Sequence, residues 1–158
     1  GFLALIIIVF SILLLPQPKS TPGCPTGYSL YSTKCGRFCY RIDSQRCLSW
    51  SDARAACNID GGDLLASDEC SYPFFIALAK PTTGTCTNFW VGVFRIPPSM
   101  NYMTVNGSRI PENFKFWARE EPDAVNLEAC AEMDRDDNYL LRDINCGTSI
   151  GYICQIFV

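Results

Sequence analysis

Ser49-Trp50-Ser51-Asp52-Ala53-Arg54-Ala55-Ala56-Cys57 carries a helix start, with serine or aspartate at the cap and alanines following. The pattern predicts an amphipathic helix that docks Trp50 and Cys57 on a core, stopped by Gly61-Gly62-Asp63. Next, Leu64-Leu65-Ala66 reads as a short buried strand. Residues 68–80 offer a second helix, with Pro73 in its first turns, where proline is tolerated. Beyond the loop 81–88, the segments 89–96, 102–105, 129–133 and 150–156 are rich in aromatic and β-branched residues and bounded by turns, so they read as strands. Asn106-Gly107 is a tight-turn signal, and Asn106-Gly107-Ser108 is also an acceptor for N-glycosylation. Two helices early and short strands late indicate an α+β fold whose long loops need staples or metal.

Composition limits the rest. The chain has 158 residues, 48% of them hydrophobic and 13% aromatic, enough for one good core and too few for two ordinary domains. Thirteen Lys and Arg against sixteen Asp and Glu give −3, so no global field recommends nucleic acid or an anionic membrane. The distribution is uneven, because Arg119 to Asp143 alone holds nine acids and three arginines. Within it, Glu120 to Glu128 crowds four carboxylates around Pro122, and carboxylates this close repel unless they are solvated, protonated or share a cation.

There is no histidine, which removes Ser-His-Asp and Cys-His catalysis and all imidazole ligation of metals. Ten cysteines without any CxxC pair read as a disulfide framework from an oxidising compartment, not as a zinc site. The amino terminus agrees with export. Residues 1–15 are uncharged and apolar, followed by a Pro-rich spacer to Gly23, a length that suits a signal peptide better than a bilayer span. The missing Met and basic flank suggest truncation, which keeps a type II membrane anchor open beside a secreted form. The expected division is therefore 1–23 as leader or anchor and spacer, and 24–158 as one extracellular domain.

From Cys24 onward the residues resemble the C-type lectin-like domains, in their long form. The matching pieces are Cys24-Pro25-Thr26-Gly27-Tyr28 for the opening CPxGW; Trp50 to Cys57 for the first helix; Trp90-Val91-Gly92-Val93 for the WIGL strand; Asn106-Gly107-Ser108 for the DGS turn; Glu121-Pro122-Asp123 for the EPN or QPD triplet; and Asp143-Ile144-Asn145-Cys146 with Tyr152-Ile153-Cys154 at the close. The resemblance implies two helices packed on short antiparallel sheets with disulfide-stapled loops. It also implies that Cys57 joins Cys154, that Cys130 joins Cys146, and that Cys24 joins Cys35. Cys39, Cys47, Cys70 and Cys86 fall outside the family pattern; proximity suggests Cys39 with Cys47 and Cys70 with Cys86, while Cys24 with Cys39 and Cys35 with Cys47 is a live rival.

In sugar-binding relatives one calcium is held by the triplet, by a Glu two positions before a Cys, and by an Asn-Asp pair. Carried over, these positions are Glu121, Asp123, Glu128 and Asp143, four hard oxygen ligands of the type calcium takes. The Glu121-Pro122 peptide is then expected to be cis. Arg142 departs from the pattern, since a guanidinium has donors only and cannot coordinate a cation. It can instead act as an internal counter-ion among the same acids. Leu141 replaces a Trp, which predicts a lost packing anchor, and Ala124 and Ala129 leave a second calcium site without carboxylates. Two readings follow. One is an extracellular domain that binds carbohydrate or a glycoprotein through one calcium; the other is a lectin-like domain that binds a protein or other surface without calcium, with Arg142 in place of the metal. An enzyme is not expected, because no activated nucleophile or cofactor motif is present, and adjacent Glu120 and Glu121 do not suit a glycosidase pair.

Overall fold

The computed structural model describes residues 23–66, 68–111, 113–123 and 128–158. The leader or anchor predicted for the amino terminus lies outside them. In chain order the elements are β1 (Ser29–Thr33), β2 (Gly36–Leu48), α1 (Trp50–Ile59), β3 (Asp63–Leu64), α2 (Tyr72–Ala79), β4 (Phe89–Phe94), β5 (Met103–Thr104), β6 (Glu128–Asp134), β7 (Leu140–Asn145) and β8 (Ile150–Phe157). Among the described residues no helix is long and apolar enough to cross a membrane.

Local chemistry sets α1. The Ser49 hydroxyl accepts from the Asp52 amide at 3.3 Å and donates to the Asp52 carboxylate at 2.7 Å, which satisfies an orphan donor of the first turn. Trp50, Ala53 and Cys57 then fall on one buried stripe. The second helix is shorter than its sequence suggests. Asp68 accepts from the amides of Cys70 and Ser71, forming a side-chain turn that competes with helix, so α2 begins only at Tyr72 with Pro73 in its first turn.

The strands hydrogen-bond in the order β1-β2-β8-β4-β6-β7, with β3 on β8 and β5 on β4. Most pairs are antiparallel, but β4 and β8 run parallel, so the sheet is mixed rather than antiparallel throughout. The reason is topological: β8 returns through the middle of the sheet, antiparallel to β2, and meets β4 only through Phe89 and Trp90. Two buried groups fill the core. One gathers Phe75, Phe89, Val91, Met133 and Ile153; the other gathers Trp50, Leu64, Trp90, Tyr152 and the Cys57–Cys154 bridge. Both indoles in the second group are satisfied, Trp50 by the Val91 carbonyl at 2.9 Å and Trp90 by that of Leu48 at 2.8 Å.

All ten cysteines are paired. Cys57 joins Cys154 and Cys130 joins Cys146, the two pairings implied by the resemblance. Three expected pairings are overturned: Cys24 joins Cys39 rather than Cys35, Cys35 joins Cys70, and Cys47 joins Cys86. Of the rival scheme, only Cys24 with Cys39 holds. Strand geometry explains each correction. Cys35 sits in the turn of the β1–β2 hairpin, at the far end from Cys24, which precedes β1. Cys39 and Cys47 lie eight residues apart on β2, roughly 26 Å at about 3.3 Å per residue, whereas a disulfide needs Cα atoms within about 7 Å. Cys70 and Cys86 are held apart by α2. The hairpin is thereby stapled at three points to its own base, to the start of α2 and to the loop before β4.

Gly92 lies where β4 packs closely against β3 and Val105. A Cβ there would stand 2.6 Å from Val105 Cγ2 and 2.7 Å from the Leu64 carbonyl oxygen, and the latter is backbone that cannot swing aside. Gly92→Ala is expected to destabilise the domain by about 1–3 kcal/mol through overpacking, read as a lower urea midpoint with an unchanged slope. An unchanged midpoint would contradict this packing.

Candidate functional site

The site grows from the β6–β7 hairpin, in which Ala131 faces Asp143 and Glu132 faces Arg142. Alternation along β7 turns Leu141 and Asp143 inward and Arg142 outward. Asp143 is fully buried, and an unpaired buried carboxylate would be costly, so its partners matter. The Tyr102 hydroxyl donates a short hydrogen bond to Oδ2, and the Asp123 amide donates to Oδ1 at 3.1 Å. Behind them, Arg95 Nε donates to the Tyr102 oxygen at 3.2 Å and to the Glu128 carbonyl at 2.8 Å. This relay fixes both the tyrosine and the start of β6.

The loop bearing the triplet docks on that aspartate. Glu120 takes a left-handed conformation at φ 68°, the Glu121 amide donates to the Ala118 carbonyl at 3.1 Å, and the Glu121–Pro122 peptide is cis. One carboxylate oxygen from each of Glu121, Asp123 and Asp143 then lies within 4.8 Å of the others. Burial, then a hydrogen bond to Asp143 and its charge, pushes Glu121 up to about 7. Glu128 is raised as well, first by burial and then by a hydrogen bond with Asp123.

Arg142 bridges two acids. Its Nε stands 3.3 Å from Glu121 Oε1 and its Nη1 3.7 Å from Asp134 Oδ2. The arginine side chain is 47% exposed, against 12% for Glu121, so the pair is held at the surface by a single nitrogen on each side rather than by a bidentate fork. Beneath it, Asn88 Nδ2 donates to Glu132 and to Asp134, each at 3.0 Å, and burial pushes Glu132 up to about 7.

Of the sequence-predicted residues, Glu121, Asp123 and Asp143 converge, with Arg142 against the first. Glu128 reaches Asp123 but stands outside that tight trio. Ala124 lies outside the described residues, and Ala129 is buried. Leu141 is not a lost anchor: it is buried, its amide donates to the Phe116 carbonyl at 2.8 Å, and its carbonyl accepts from Ala118 at 2.8 Å. Sequence reasoning missed Tyr102, Arg95 and the Asn88–Glu132–Asp134 group. An arginine closing an apolar strand and two acids spaced by two in a strand were the available signals. As a donor set the trio suits a hard cation. Oxygens sharing one calcium at about 2.4 Å lie at most about 5 Å apart, which the observed spread satisfies.

The sequence model of the family described as lectin C-type domain matches residues 46–156. The chain is 26% identical over 119 residues to lymphocyte antigen 75 of Homo sapiens, covering 74% of this chain but only 7% of that protein's length. Among solved structures, a calcium-independent type II antifreeze protein aligns with TM-score 0.66 and 20% identity, covering 84% of this chain and 92% of that one. A complex of SPL-1 with GlcNAc aligns with TM-score 0.70 and 18% identity, covering 86% and 96%. The chain belongs to the C-type lectin domain family.

The acids make a signed prediction about pH. Glu121 and Glu132 have folded-state values near 7 against about 4.5 unfolded, so the folded state binds protons more tightly across that interval and stability rises as pH falls from 8 toward 5. Asp43 and Asp68, held below the usual carboxylate range, act in the opposite sense only below about pH 4. In EDTA the urea midpoint should therefore increase from pH 8 to pH 5, and Glu121→Gln should flatten that slope and raise the midpoint at pH 8. A midpoint that falls over this range would refute the assignment.

Proposed function

We propose that this is an extracellular binding domain that recognises carbohydrate through one calcium ion held by Glu121, Asp123 and Asp143, with Glu128 completing the set. The observation that carries the reading is the convergence of three carboxylate oxygens within 4.8 Å, one of them on a fully buried aspartate. Such a group is self-repelling without a cation. The calcium supplies open coordination positions for adjacent sugar hydroxyls. The chain's own part is to hold the oxygens: Tyr102 and the Asp123 amide orient Asp143, and the loop carries Glu121 and Asp123 to it. Five disulfides fit an oxidising compartment, and the domain acts by binding rather than catalysis.

Arg142 favours a second reading. With Nε 3.3 Å from Glu121, it already supplies a positive charge, and a domain neutralised this way binds a protein or another surface without metal. The relative of known structure that is calcium-independent makes this a real competitor within the fold.

The two part on calcium. Under the first, calcium at a hundred times its Kd stabilises the domain by about 2.7 kcal/mol, and EDTA abolishes binding on a glycan array. Arg142→Asn, which removes the internal cation and restores an oxygen, should tighten calcium about tenfold; Asp143→Asn should abolish the response. Glycan binding that survives EDTA, or a melting temperature indifferent to calcium in both wild type and Arg142→Asn, would overturn the first reading and support the second.

A further inference from the structure

A concavity of about 540 Å³ shares no lining residue with the carboxylate site. Buried Phe38, Ile110 and Phe114 line it, and Phe157, 67% exposed, stands at its edge. A second concavity of about 270 Å³ adjoins it, and Ala66, Asn106, Gln155 and Phe157 line both. Asn106 is the asparagine of the Asn106-Gly107-Ser108 acceptor and is itself exposed. Its side-chain oxygen accepts from the Ser108 amide at 3.3 Å and, in a short hydrogen bond, from the Thr104 hydroxyl, while Gly107 turns the chain at φ +87°. The amide oxygen is thus committed to the turn, which directs Nδ2, the atom to which a glycan is joined, away from it.

We propose that an N-linked glycan on Asn106 folds back onto its own domain, its first N-acetylglucosamine units lying across Phe157 in the double groove. The chemistry of the lining fits a pyranose. Phe157 offers an aromatic face to the apolar C–H face of the sugar, and it is otherwise a large ring left in water. Asp68, Ser71 and Gln155 supply polar groups at the same walls for the hydroxyl and acetamido groups. The occupant is specified by attachment. A ligand tethered to a lining residue has an effective concentration in the millimolar range, so contacts too weak to capture a free sugar suffice. The proposal is independent of calcium and of the Glu121 site.

The test uses the full chain secreted from a eukaryotic host, with every measurement made in EDTA so that failure of the calcium reading cannot affect it. Ser108→Ala removes the acceptor while sparing the Asn106 cap, and Phe157→Ala removes the platform. Intact mass should show a glycan that Ser108→Ala abolishes. Each variant should lower Tm by about 3 °C, and the double variant no further than either alone, because both remove one interaction. Enzymatic release of the glycan under native conditions should speed up severalfold in Phe157→Ala. An unmodified Asn106, additive Tm losses, or a release rate untouched by Phe157→Ala would each overturn the proposal.

Discussion

One buried aspartate organises the functional end of this domain. Asp143 has no exposed surface, faces Ala131 across the β6–β7 pair, and is tolerated because a tyrosine hydroxyl and a backbone amide point at its two oxygens. Removing a buried charge from water costs several kcal/mol unless such partners are present. The partners come from two different loops, so satisfying Asp143 also fixes where those loops lie. Tyr102 is positioned by Arg95 at the end of β4, and Asp123 belongs to the triplet loop. The arrangement of the acidic rim is therefore a consequence of one electrostatic debt at its base.

The scaffold that permits this is built around β8. It lies between β2 and β4, carries Cys154 to α1, and buries Tyr152 and Ile153 on opposite core groups. Because β4 is pinned to β8 on one side and β6 on the other, Arg95 at its end has little freedom. The Cys130–Cys146 bridge closes the β6–β7 hairpin near the site, and closing a loop of that size is worth about 3 kcal/mol in the chain-entropy model. Stapled strands below and a charge-satisfied base above leave Glu121 and Arg142 at the surface facing each other.

Much of this was legible in the residues. The Ser49–Asp52 cap, the apolar run at Trp90 and the turn at Asn106 have local signals, and local chemistry decides them. The three misassigned disulfides were not legible, because β2 hides its length: Arg37, Arg41 and Asp43 alternate with Phe38, Tyr40 and Ile42, but the alternation breaks at Ser44 and Arg46, and the register comes from pairing with β1 and β8. Without that length, Cys39 and Cys47 look like neighbours. At the site, Glu121, Asp123 and Asp143 were found through their resemblance to a triplet and a D-x-x-C spacing. Tyr102 and Arg95 were not, since their roles exist only once β4 and β7 are brought together across the sheet. Glu132 fell inside the strand read at 129–133 and Asp134 just beyond it, but their pairing through Asn88 exists only once that strand lies beside β4.

Glu121, Asp123 and Asp143 are proposed to surround a cation site that Arg142 guards from one side. Anomalous diffraction from crystals grown with terbium, a hard trivalent stand-in for calcium, tests it most directly. One strong peak is expected about 2.3–2.6 Å from oxygens of all three carboxylates, with the Arg142 guanidinium moved away from Glu121. No peak among them, with Arg142 Nε still against Glu121, would contradict it.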